Sequence, residues 1–105
     1  MSIFDENIIT VNDLLNIGFS KSMKSHVFTR HGSIVKTTYI LPYIIYIENI
    51  AENKWSVNIY VSDLHIQFNK NVVVSDMLTV NTILHSIQNI TYDELYKEFQ
   101  MVTVC

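Results

Sequence analysis

Four histidines, His26, His31, His65 and His85, and one cysteine, Cys105, are the side chains of this 105-residue chain best suited to hold a metal or attack an electrophile. Two imidazoles aim at one ion when they stand at i, i+4 on a helix or i, i+2 on a strand. No pair here has either spacing, and there is no H-E-x-x-H, so the histidines read as surface or half-buried groups in ordinary hydrogen bonds. A lone cysteine allows neither an internal disulfide nor a Cys-based zinc site, and as the last residue it would need anchoring to serve as a nucleophile. There is no G-x-S-x-G elbow. The only glycines, Gly18 and Gly32, lie too far apart to cradle a phosphate. The carboxylates fall in caps, turns and a C-terminal helix, where Asp93, Glu94 and Glu98 read as a solvated face and as first-turn partners of the helix dipole. The expectation is therefore a protein without cofactor or metal, and not an enzyme.

Charge is distributed more informatively than the net value of -3 suggests. No acid stands between Asp13 and Glu48, whereas Lys21, Lys24, Arg30 and Lys36 all do, so that stretch carries +4 and the rest of the chain -7. Within it, "FSKSMKSHVFTRH" mixes cations with Phe19, Phe28, His26 and His31, a composition that could pair phosphates and stack bases. The competing reading puts both phenylalanines in the core and the cations on a solvated strand and loop. An acidic balance overall argues against general nucleic-acid binding.

With 49% hydrophobic and 16% charged residues, the chain reads as one globular domain over 1–105, able to bury roughly 65% of its unfolded surface without a disulfide. The start "MSIFDEN" lacks the cations and apolar run of a secretory signal, and "VTVC" is not a C-a-a-X lipidation signal. The apolar run 39–47 is about half the ~20 residues a spanning helix needs and contains Pro42. These features suit a cytoplasmic protein. Abundant Ile and Asn fit an AT-rich gene, as in a low-GC bacterium or its phage.

The elements that would position any site follow from pattern and capping. "IITVNDLLNIGF" holds a short helix over about 11–17, with Thr10 as cap, Ile9 stapled to Leu14, and Gly18 as the left-handed stop. Period-two alternation then dominates from 25 to 69. In "WSVNIYVS", Trp55, Val57, Ile59 and Val61 face one way and Ser56, Asn58, Tyr60 and Ser62 the other. "LHIQFN" repeats the scheme after a turn near Asp63. His31-Gly32-Ser33 reads as a tight turn between two strands, "ENIAENK" as a hairpin loop and "NKN" as a further turn. Ser75 would cap a core helix carrying Val80, Ile83, Leu84 and Ile87 as its apolar stripe, with Asp76 in its first turn. Thr91 and Glu94 form a capping box for a last helix over about 92–101. The predicted architecture is α+β: a short N-terminal helix, a four- to five-stranded antiparallel meander, and two C-terminal helices packed on one face.

The stretch "YILPYIIYIENI" then poses a problem of cover. Tyr39, Leu41, Tyr43, Ile45 and Ile47 share one face of an extended strand and Ile40, Ile44 and Tyr46 the other, so both faces are apolar. Three covers compete for the second face: the N-terminal helix or a strand bent at Pro42, a second copy of the chain, or a foreign partner. A compact domain of this kind works by contact. The leading expectation is a non-catalytic protein-binding module acting through Tyr43, Ile44, Tyr46 and Tyr60 on a larger host protein or ribonucleoprotein, as small phage or mobile-element inhibitors of bacterial defence such as anti-CRISPR proteins do. The alternatives are an RNA-contacting protein using Lys21, Lys24, Arg30 and Lys36, and a homo-oligomeric structural protein, a homodimer being its simplest form, that meets itself through strand 39–47.

Overall fold

The computed structural model describes residues 8–23 and 26–103. Lys24 and Cys105 lie outside them. Six strands form one antiparallel sheet in sequence order: β1 Ser20–Lys21, β2 Val27–Val35, β3 Ile40–Ala51, β4 Lys54–Asp63, β5 Ile66–Val74 and β6 Gln100–Thr103. Three helices, α1 Val11–Asn16, α2 Met77–Gln88 and α3 Tyr92–Glu98, complete the α+β architecture of the described residues. The sheet has six strands rather than the expected four to five. The additions are short: β1 is two residues, and β6 begins on Gln100 and Met101, expected to be the tail of the last helix, and runs on to Thr103.

Helix ends follow local chemistry. The Thr10 hydroxyl accepts from the Asp13 N–H, and Gly18 takes φ +99° just past the C-cap Ile17. Thr91 and Glu94 make the full capping box of α3. At α2 the cap is Asp76 rather than Ser75. Asp76 has extended backbone angles, and its Oδ1 accepts from the Thr79 N–H at 2.7 Å. That backbone bond, followed by the Thr79 hydroxyl, holds the Asp76 carboxyl below its usual pKa.

The turns depart further from expectation. His31-Gly32-Ser33 is no turn, because β2 runs straight through it in continuous register with β3. Gly32 pairs with Tyr43, and a Cβ on Gly32 would stand within 2.4 Å of the Tyr43 Cζ and Oη atoms. The glycine is there to let the tyrosine ring lie across the strand, not to reverse the chain. "NKN" is likewise inside β5, where Asn71 reaches across to β4 and donates to Ser56 Oγ at 2.9 Å and Asn58 Oδ1 at 2.7 Å. The chain reverses between Val35 and Ile40 instead, while the other two hairpins fall where expected, at Glu52-Asn53 within "ENIAENK" and at Leu64-His65 just after Asp63.

All three helices cover the same face of the sheet. Phe28, Ile34, Leu41, Ile45, Ile47, Val57, Val61 and Phe68 project from the strands into one core with Leu14 of α1, Met77, Val80 and Ile87 of α2 and Leu95 of α3. Burial of these residues is the fold's main stabilising term, each fully buried large aliphatic or aromatic side chain contributing roughly 1.5–3 kcal/mol. The N-terminal helix therefore does not cover the second face, as one expected arrangement had it. Nor is β3 bent at Pro42: Leu41, Tyr43, Ile45 and Ile47 are buried in strict alternation on one side. Strand β3 is central, flanked by β2 and β4. Pairing with β4 begins only at Tyr43, so the missing N–H of Pro42 falls where the ladder has ended.

Candidate functional site

The face opposite the helices is uncovered among the described residues. Alternation puts Thr29 and His31 of β2, Ile44 and Tyr46 of β3, Asn58 and Tyr60 of β4, and Asn69 and Asn71 of β5 on it. Its centre is aromatic. The Tyr46 and Tyr60 rings meet edge to face with centroids 5.8 Å apart, a geometry favoured by the ring quadrupoles, and Ile44 is paired directly with Tyr60. Two shallow depressions flank this centre. One, about 220 Å³, is lined by His31, Pro42, Tyr43, Ile44, Tyr60 and Ser62. The other, about 300 Å³, is lined by Ser22, Val27, Tyr46, Glu48, Asn58 and Tyr60. Tyr60 is the wall between them.

Three of the four expected partner-binding residues thus come together. The fourth does not: Tyr43 is 5% exposed and belongs to the core, its Oη accepting from Arg30 Nη1. The cause is parity, since Tyr43 and Tyr46 are an odd number of residues apart on one strand and must face opposite sides. The neighbours that complete the open face, Thr29, His31, Asn58, Asn69 and Asn71, were missed because each looks like routine solvent-facing strand chemistry. Their relation to one another appears only with the register.

Electrostatics separate the face from the cations. Among the described residues of β2 to β5, its only Asp, Glu, Lys or Arg side chains are Glu48 and Lys54, both near the β3–β4 hairpin. Glu48 is joined to His26 at 3.0 Å. Lys21 pairs in register with Phe28 and so stands on the helix-covered side. Arg30 is turned to that side too, donating from Nε to the Ile17 carbonyl at 3.0 Å. Lys36 follows β2 at its far end, roughly 26 Å along the strand from the Phe28 level. Phe19 and Phe28 are buried in the core. Among its described residues the basic stretch therefore offers no shared surface on which cations and stacking rings meet, and the one described Lys or Arg on the open face, Lys54, lies out at the β3–β4 hairpin.

Elsewhere, Tyr92 donates from its hydroxyl to Asp63 Oδ2 at 2.9 Å and packs against Tyr39 with centroids 4.7 Å apart. Burial first, then Asp63, pushes the Tyr92 pKa up to about 12. Such a phenol is a structural donor, since it keeps its proton where a nucleophile must lose it. Among the described residues no three His, Cys, Asp or Glu side chains converge as a metal site would require, and no helix is long and apolar enough to cross a membrane. No protein family, curated protein or solved structure matches the chain.

Proposed function

We propose that the chain is a non-catalytic protein-binding module whose contact surface is the open sheet face centred on Ile44, Tyr46 and Tyr60. The observation that carries this reading is the composition of that face: aromatic at its centre, amide and hydroxyl around it, and free of Asp, Glu, Lys and Arg over most of its extent. Tyr, Asn and Ser are the residues that antigen-binding surfaces favour, because a tyrosine brings a large rigid contact at the cost of two rotatable bonds. Tyr46 is 36% exposed, so its ring is held by Tyr60 yet still has area to give to a partner. The uncharged surround favours a protein over a nucleic acid.

The partner we assign is a larger cytoplasmic host protein or ribonucleoprotein. The role is that of a small phage or mobile-element inhibitor of bacterial defence, comparable to anti-CRISPR proteins, which at 12.2 kDa works by occupying a surface. Tagged protein passed over a low-GC bacterial lysate, with and without nuclease, tests this. A stoichiometric protein captured by the native chain, kept after nuclease and lost with Tyr46→Ala/Tyr60→Ala, supports the reading. Capture that the double substitution leaves intact removes this face from consideration.

A further inference from the structure

Among the described residues the sheet is open at both ends, and the β2 end is covered over only part of its length. β1 pairs with β2 at Phe28 and Thr29, and the bond from the Ser22 N–H to the Val27 carbonyl extends that contact by one pair. Beyond Arg30 no described strand lies alongside. The bonds fix which backbone groups look outward. Val27 points toward β1, whereas His26 and Lys36 point toward β3, the His26 carbonyl accepting from the Asn49 N–H and the Lys36 N–H donating to the Tyr39 carbonyl. By alternation His31, Ser33 and Val35 turn their N–H and C=O groups to the open edge. Among the described residues none of these groups has a hydrogen-bond partner. His31 and Ser33 are exposed, and Val35 is 66% exposed.

Natural sheets blunt such an edge with lysine, proline, a bulge or an overlying loop. Among the described residues this segment has none of them. Its register against β3 is unbroken from Val27 to Val35, and its residues are His31, Gly32, Ser33, Ile34 and Val35. The segment is also self-complementary. A two-fold axis at Ser33 brings Ser33 against Ser33 of a second copy and His31 against its Val35, so that three outward donors and three outward acceptors on each strand are all matched. On the open face the smallest side chain stands on the axis. On the helix side Ile34, fully buried within its own chain, meets the other copy's Gly32, which carries no side chain. Arg30 does not intrude, because Ile17 and Tyr43 hold its guanidinium over its own core.

We infer that the His31–Val35 edge of β2 pairs antiparallel with the same edge of a second copy, joining two sheets into one continuous sheet with both open faces on the same side. The contact is made by the backbone edge of β2 and not by the Tyr46 and Tyr60 rings, although His31 borders both. The full-length chain is followed by sedimentation and by amide hydrogen exchange from about 1 µM to about 1 mM, a span suited to a contact of modest area. The mass should rise from 12.2 kDa toward twice that value, and the Ser33 and Val35 amides should gain protection over the same range. Ser33→Lys, which changes an exposed side chain and sets like charges across the axis, should weaken the dimer about tenfold or more. Tyr46→Ala/Tyr60→Ala should leave it unchanged. A chain that stays at 12.2 kDa throughout, or a dimer that Ser33→Lys leaves as tight as before, overturns the inference. A dimer that only the tyrosine substitutions dissolve overturns it equally, since its contact is then the open face.

Discussion

Gly32 and Tyr43 face each other across β2 and β3, and even a methyl group on the glycine would stand where the phenol ring lies. Gly32→Ala must therefore displace a ring packed in the core and bonded to Arg30. Overpacking of this kind destabilises by about 1–3 kcal/mol, to be read from the denaturant midpoint. Tyr92 supplies a pH signature. An unfolded tyrosine ionises near pH 10, whereas burial and Asp63 raise Tyr92 to about 12 in the folded chain. Below pH 10 both states keep the proton and the group adds no pH dependence. Between 10 and 12 the unfolded state gives it up first, so stability falls as pH rises. Tyr92→Phe should make that alkaline fall shallower, and an unchanged slope would show that Asp63 and burial do not hold the phenol as described. Residue roles were legible in the sequence only when the partner was local. The capping by Thr10 and Thr91 reaches three residues along the chain, whereas Gly32 takes its meaning from a ring eleven residues away and was read as a turn.

At the scale of elements, the capping box fixes where α3 begins, and α3 in turn places Leu95 in the core and the Tyr92 and Tyr96 rings beside Tyr39 and Phe68. Thr91→Ala should cost about 1 kcal/mol in a denaturant titration, with Thr91→Ser restoring most of it. A loss well above that range would mean that Thr91 does more than cap. Strand β4 was readable because Trp55, Val57, Ile59 and Val61 alternate over eight residues. Strand β6 was not, because four residues are too few for a period and the preceding helical pattern ran on into them. The Asn69-Lys70-Asn71 segment shows a third limit. Its composition suits a turn, yet Asn71 is held in the sheet by side chains fifteen and thirteen residues away. Polar residues on an open face are chosen by cross-strand neighbours that a linear reading does not see.

For the whole molecule, the question left by "YILPYIIYIENI" has a simple resolution. One face of that strand lies in the core that every helix of the described chain shares, and the other lies outside that core. The pattern of the sequence disclosed that both faces were apolar. It could not disclose that α1 would join α2 and α3 on the same side, because an amphipathic helix does not record which face of a sheet it prefers. The same asymmetry sorts the charges, sending Lys21 and Arg30 to the helix-covered side and leaving the Tyr46 and Tyr60 face with an aromatic and amide character. The proposed protein contact of this face is tested by affinity for the captured partner, measured by calorimetry for the native chain, Tyr46→Ala/Tyr60→Ala and Lys21→Ala/Lys36→Ala. Loss of more than ~2 kcal/mol, about thirtyfold, on removing the two rings, with no change on removing the two lysines and little dependence on salt, is the expected result. Binding that survives loss of the rings but weakens with each lysine and with rising salt would place the contact on the basic stretch instead of this face.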